Sequence, residues 1–168
     1  MNAEENLKGL KGWLFLVGLG LIVYPVRLAF IMGPLFYNMF TDGSFEYLTT
    51  PGTESYSPLW KPILIFEGVF NVLMILFSFF VTYLFFKKNY QFPKAYIVFL
   101  ILPLVLMPTD AWLGSFVVKD EPMFDPETSK EIIRSFIAAV IWIPYMLLSK
   151  RVKATFVEGK PTVTEAEL

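Results

Sequence analysis

Four long stretches of this chain carry almost nothing but apolar side chains, and no other feature limits the fold as tightly. They cover residues 13–35, 62–86, 95–117 and 132–148. The hydrocarbon core of a bilayer is about 30 Å thick, which about 20 helical residues cross. Strands usually stop after about four to eight residues, so length rules them out here. In lipid, moreover, each backbone polar group must find its partner within its own segment. The expected fold class is therefore an all-α membrane protein, a four-transmembrane-helix bundle. Composition agrees: 55% of the 168 residues are hydrophobic and only 17% charged, a poor balance for a chain that must coat its core in water.

Local signals set the ends of these helices. Asp125-Pro126-Glu127 reads as an N-cap, a proline in the first helical position and an acid in the first turn, so the fourth helix is expected to start outside the membrane. Pro62 can open the second helix in the same way. Pro25, Pro103, Pro108 and Pro144 fall within spans, where neighbouring helices satisfy the freed carbonyls and kinks are expected. The connection over 36–61 contains Phe40, Phe45, Tyr47, Tyr56 and Trp60, which suit a loop lying along the headgroup interface. The connection over 118–131 is short and acidic, and Asn89-Tyr90 marks a tight hairpin. Residues 1–156 read as one domain, with no internal repeat. The tail over 157–168 is polar and has the composition of a disordered segment. The first span follows Lys8 and Lys11 as a signal peptide would, but it is long, contains Arg27 and lacks a following A-x-A site, so it is expected to be retained.

Orientation comes from the basic residues near span ends. Lys8, Lys11, Lys87, Lys88, Lys94, Lys150, Arg151, Lys153 and Lys160 fall on one side, against Lys61, Lys119 and Lys130 on the other. Because cytoplasmic loops keep an excess of Lys and Arg, both termini are expected in the cytoplasm. The group at Lys150, Arg151 and Lys153 is suited to anionic headgroups of membrane lipids.

The sequence also narrows the chemistry. It has no cysteine and no histidine, which removes thiol nucleophiles, Cys/His zinc sites, His-ligated haem and imidazole catalysis. A net charge of −1 offers no field for a phosphate backbone, so no nucleic acid partner is expected. No catalytic residue, metal site or cofactor is assigned, and the chain is read as not an enzyme.

What polar chemistry remains lies within the spans. Arg27, Glu67, Asp110 and Arg134 place one charge on each helix, at a cost of about 2.5 to 3.5 kcal/mol apiece at a helix centre. Counting along the helices from the outer span ends, Arg27 lies about 12 Å in, Glu67 about 8 Å and Asp110 about 10 Å. These three lie at nearly one depth in the outer half, while Arg134, about two turns past Pro126, either stands at the outer rim or reaches inward to join them; with Asn71 the four form a candidate charge-balanced cluster. Glu67, Asn71, Ser78 and Thr82 share a wedge of about 60°, and Arg134, Ala138, Trp142, Tyr145 and Ser149 one of about 80°. Tyr24, Ser78, Thr82, Trp142 and Tyr145 are candidate cavity linings on that basis. In one reading Arg27 pairs with Glu67 or Asp110 to fix helix register, and the hydroxyls bond across helices for about 0.6 kcal/mol each. In the other, the cluster lines a water-accessible cavity that binds a polar ligand or relays protons. For Tyr24, Trp142 and Tyr145, core packing or interfacial anchoring is the favoured role. Arg134 can also snorkel to the interface, with Glu131 one turn before it. Ala29-x-x-x-Gly33 and Ser135-x-x-x-Ala139 have the small-residue spacing that permits close helix approach.

Three stretches together resemble a family of small bacterial inner-membrane proteins catalogued as domain-of-unknown-function family 2569. They are Gly9-Leu10-Lys11-Gly12-Trp13-Leu14, then Pro25 with Arg27-Leu28, and Pro144-Tyr145 with Ser149 to Phe156. The resemblance implies an inner-membrane location and a four-helix layout, and it brings no activity or catalytic residue. Small size and few intramembrane polar groups favour an accessory or assembly subunit of a larger membrane complex. The alternative is a small oligomeric transporter or channel that uses the cluster to bind a polar ligand or relay protons. An intramembrane acid/base pair of Glu67 and Asp110 is the weakest reading, because nothing supplies a nucleophile, metal or cofactor beside it.

Overall fold

A computed structural model describes residues 8–118 and 122–160. Within them the chain forms α1 (Trp13–Thr41), α2 (Ser44–Thr49), α3 (Trp60–Phe86), α4 (Phe92–Gly114), α5 (Pro126–Leu148) and α6 (Lys150–Thr155). Helices α1, α3, α4 and α5 are each long and apolar enough to cross a membrane, so the all-α, four-span expectation holds.

The start of α5 is the one read from sequence. Asp125 Oδ1 accepts from the backbone N–H groups of Glu127 (2.6 Å) and Thr128 (2.9 Å), and Oδ2 accepts from the Thr128 hydroxyl (2.8 Å). These bonds satisfy donors that the first helical turn leaves orphaned. They also hold the Asp125 carboxyl below its ordinary pKa, the Thr128 N–H contributing most and its hydroxyl next.

The connection over 36–61 departs from expectation. Helix α1 runs on through Pro34 to Thr41, and a further helix, α2, follows after Gly43, whose φ of 85° allows the abrupt turn. Its aromatics sit largely on helix rather than loop: Phe40 of α1 packs on Phe45 of α2 at 4.9 Å. At 29 residues, α1 is about 43 Å long and outreaches a hydrocarbon core of about 30 Å. Lys119, part of the charge asymmetry, lies outside the described residues.

Helix α1 packs on α3, α3 on α4, and α4 on α5. The core is an apolar column of Leu14, Val17, Leu21, Met74, Val81, Phe85, Phe92, Tyr96, Phe99 and Met146. Outside it, large apolar side chains face outward on every span, with Phe30 78% exposed and Phe136 58% exposed. Such an exterior suits lipid and not water.

The segments that carry the nine basic residues meet at one end. Gly9 N–H donates to Thr155 Oγ1 (3.1 Å), which ties the start of the described chain to α6. Tyr90 N–H donates to the Glu158 carbonyl (3.0 Å), and Glu158 N–H donates to that of Lys88 (3.2 Å). Phe156 then seats its ring on Phe92, centroids 4.4 Å apart, and on Phe85 at 5.8 Å. Residues 157–160 are therefore fastened to the α3–α4 hairpin, against the expectation of disorder from residue 157; the rest of the tail lies outside the described residues. Composition gave no hint of this, because the ties are backbone bonds that any side chain permits.

Candidate functional site

At the end of the bundle away from the basic residues, a cavity of about 250 Å³ opens between the four long helices. Glu67 and Asn71 on α3 and Asp110 on α4 line it, with Met32 of α1 and Thr128 of α5. The Glu67 and Asp110 side chains thus share one space. Asp110 Oδ1 is buried with no hydrogen-bond partner among the described residues. Asn71 turns its amide away, donating to the Glu67 carbonyl on its own helix (2.9 Å).

The arginines stand elsewhere. Arg27 Nη2 and Arg134 Nη1 both bond Glu131 Oε1, at 2.7 Å and 2.6 Å, with side-chain exposures of 49% and 53%. The expected neutral cluster is thus two separate features, an acidic cavity and a basic triad, and none of its charged members is fully buried. The reason is azimuth. On α1 the buried positions Leu14, Val17, Leu21 and Pro25 mark the face toward α3, and winding at about 100° per residue turns Arg27 about 110–140° from that face. Depth alone cannot specify a pair. Arg27 meets neither Glu67 nor Asp110, and the residue it does meet, Glu131, had been counted outside the fourth span. The Asp125 cap was the signal for it, since a helix beginning there must include Glu131.

The other candidate linings serve packing. Ser78 is buried, but its hydroxyl donates to the Ile75 carbonyl (2.7 Å), and Thr82 donates to that of Ser78 (2.7 Å). Both bonds stay within α3 and do not cross to another helix, as hydroxyls in membrane helices often do with their own backbone. Tyr24 packs edge-on against Phe99 at 4.8 Å. Trp142 lies between Trp13 at 6.0 Å and Tyr145 at 5.9 Å. None of Tyr24, Ser78, Thr82, Trp142 and Tyr145 lines the acidic cavity. Close helix approach occurs at Gly18 against Phe85, whereas Gly33 faces open space.

Four apolar spans around an apolar core, with charges gathered at the two ends, define a multi-pass membrane protein. Residues 7–157 match the family described as protein of unknown function DUF2569, and the chain belongs to that family. No curated protein and no solved structure is detectably similar to it.

Proposed function

We propose that this protein is a non-enzymatic accessory or assembly subunit of a larger membrane complex, held in the bacterial inner membrane with both ends in the cytoplasm. The orientation rests on the gathering of nine basic residues at one end, the side on which Lys and Arg are retained. The accessory role rests on one observation: among the described residues the interior of the basic half is closely packed. Leu14, Val17, Val81, Phe85 and Phe92 fill it, each at most 1–2% exposed, and Phe156 covers the end. Among the described residues the acidic cavity therefore has an apolar floor, and no polar route continues from it to the basic end. A tagged copy extracted in mild detergent should bring down a membrane protein in fixed stoichiometry. Recovery as a lone monomer from every lipid tested would overturn the role.

One observation favours a second reading, a small oligomeric transporter or channel. Glu67 and Asp110 face a common cavity, where carboxylates could hold a cationic ligand or pass a proton. In that case Glu67→Gln abolishes flux in proteoliposomes and leaves the folded yield intact. Unchanged flux, or no flux in the parent protein, rejects it.

A further inference from the structure

The triad of Arg27, Glu131 and Arg134 sits at the top of an open seam between α1 and α5. Among the described residues an ion pair and a ring pair link α1 to α5, Arg27 to Glu131 toward one end and Trp13 to Trp142 toward the other. On α1, Trp13, Gly20 and Arg27 are spaced by seven residues and so share one face within about 40°. On α5, Glu131, Ser135, Ala138 and Trp142 share a face within about 60° by the same winding. Between the two links the winding brings small residues to both faces, Gly20 on that of α1 and Ser135 and Ala138 on that of α5. Nothing lies within 4 Å of where a Gly20 side chain would begin. α1 thus has open space at Gly20, on the same face as Arg27.

The triad carries a net positive charge, two guanidiniums on one carboxylate. Each guanidinium has five N–H donors, and the only bond each makes among the described residues is to Glu131 Oε1. The shared oxygen fixes both forks side by side, and such forks match the oxygens of a phosphate. Arg27 lies about 21 Å from the start of α1 in a core of about 30 Å, so its long side chain meets a phosphate by snorkelling outward to the headgroup level. Gly20 lies about 10 Å and Trp13 about 21 Å along α1 from Arg27, while a lipid tail in one leaflet reaches about 15 Å. A tail descending from a phosphate held in this way reaches about the level of Gly20 and ends before the tryptophans.

We infer that the α1–α5 seam is a binding site for one anionic phospholipid, its phosphate held by Arg27 and Arg134 and one acyl chain lying over Gly20 and Ala138. The site is independent of the accessory role proposed above.

Native mass spectrometry of the full chain, delipidated and then supplied with phosphatidylglycerol, tests it. The parent protein should retain one phosphatidylglycerol, and the double variant Arg27→Gln/Arg134→Gln should lose about tenfold in retention. Gly20→Leu, which fills that open space without touching the triad, should cause a comparable loss. It also keeps the test open if the arginine variant does not fold. Equal retention of diacylglycerol, which has no phosphate, would overturn the site. So would displacement of the lipid by inorganic phosphate, unchanged retention in Gly20→Leu, or an acidic helix of another membrane protein occupying the seam.

Discussion

Gly18 and Gly20 lie two residues apart on α1, and the structure assigns the same substitution opposite outcomes at the two. A methyl group at Gly18 would stand 2.7 Å from Phe85 Cε1 and 3.0 Å from Cζ, whereas at Gly20 nothing lies within 4 Å. The Phe85 ring has little room to retreat, being 2% exposed with Phe86, Phe92 and Phe156 around it at centroid distances of 5.3, 5.1 and 5.8 Å. Overpacking of this kind costs about 1–3 kcal/mol. Replacing glycine by alanine in a helix also gains about 1 kcal/mol from propensity. Gly20→Ala should therefore be stabilised by up to about 1 kcal/mol, and Gly18→Ala should fall between neutral and about 2 kcal/mol destabilised. Propensity cancels in the comparison, which leaves a difference of about 1–3 kcal/mol due to the Phe85 contact alone. Equilibrium unfolding in mixed micelles, followed by tryptophan fluorescence, measures that difference. If Gly18→Ala proves as stable as Gly20→Ala, α1 does not press on α3 at Phe85, and the packing described for the basic half is wrong.

Three further outcomes can be checked in the same preparation. Phe156→Ala should cost about 3–5 kcal/mol and expose α6, so that limited proteolysis with trypsin cuts at Lys153 while the spans stay intact; a resistant α6 would refute the seal. A double-mutant cycle should give Arg27 and Glu131 a coupling of up to about 1 kcal/mol, the ceiling for half-exposed pairs, and Arg27 and Glu67 none; coupling to Glu67 would restore the pairing that the structure replaces. Because hydrogen bonds depress the folded pKa of Asp125, its stabilisation should be complete above the ordinary value of 3.8 and fade as pH falls through the lower folded value. In Asp125→Asn, which can still cap the helix, the acid-side fall in melting temperature should shrink, and an unchanged pH profile would refute the link.

The helices were legible because lipid imposes a length and an apolar composition that few other structures need, and the Asp125 cap was legible because its geometry is local. The end of α1 was not. The aromatics after residue 35 suit an interface loop, yet the helix runs on past Pro34, a proline being tolerated inside a membrane-spanning helix, and the turn falls only at Gly43. Glu67, Asn71 and Asp110 do share a cavity, but Arg27 and Arg134 belong to Glu131. A sequence yields depth along each helix, whereas pairing depends on how the helices are rotated against one another, and packing such as Gly18 on Phe85 decides that.

The clasp between Gly9 and Thr155 joins residues 146 positions apart in the chain. Phe156 lies beside that clasp, so during synthesis the socket of Phe85 and Phe92 stands unfilled until all four spans and Phe156 have left the ribosome. A chain that stalls before Phe156 keeps four inserted spans but shows an uncovered aromatic patch at the water boundary. That patch is a mark by which proteases of the cell could tell an unfinished copy from a finished one.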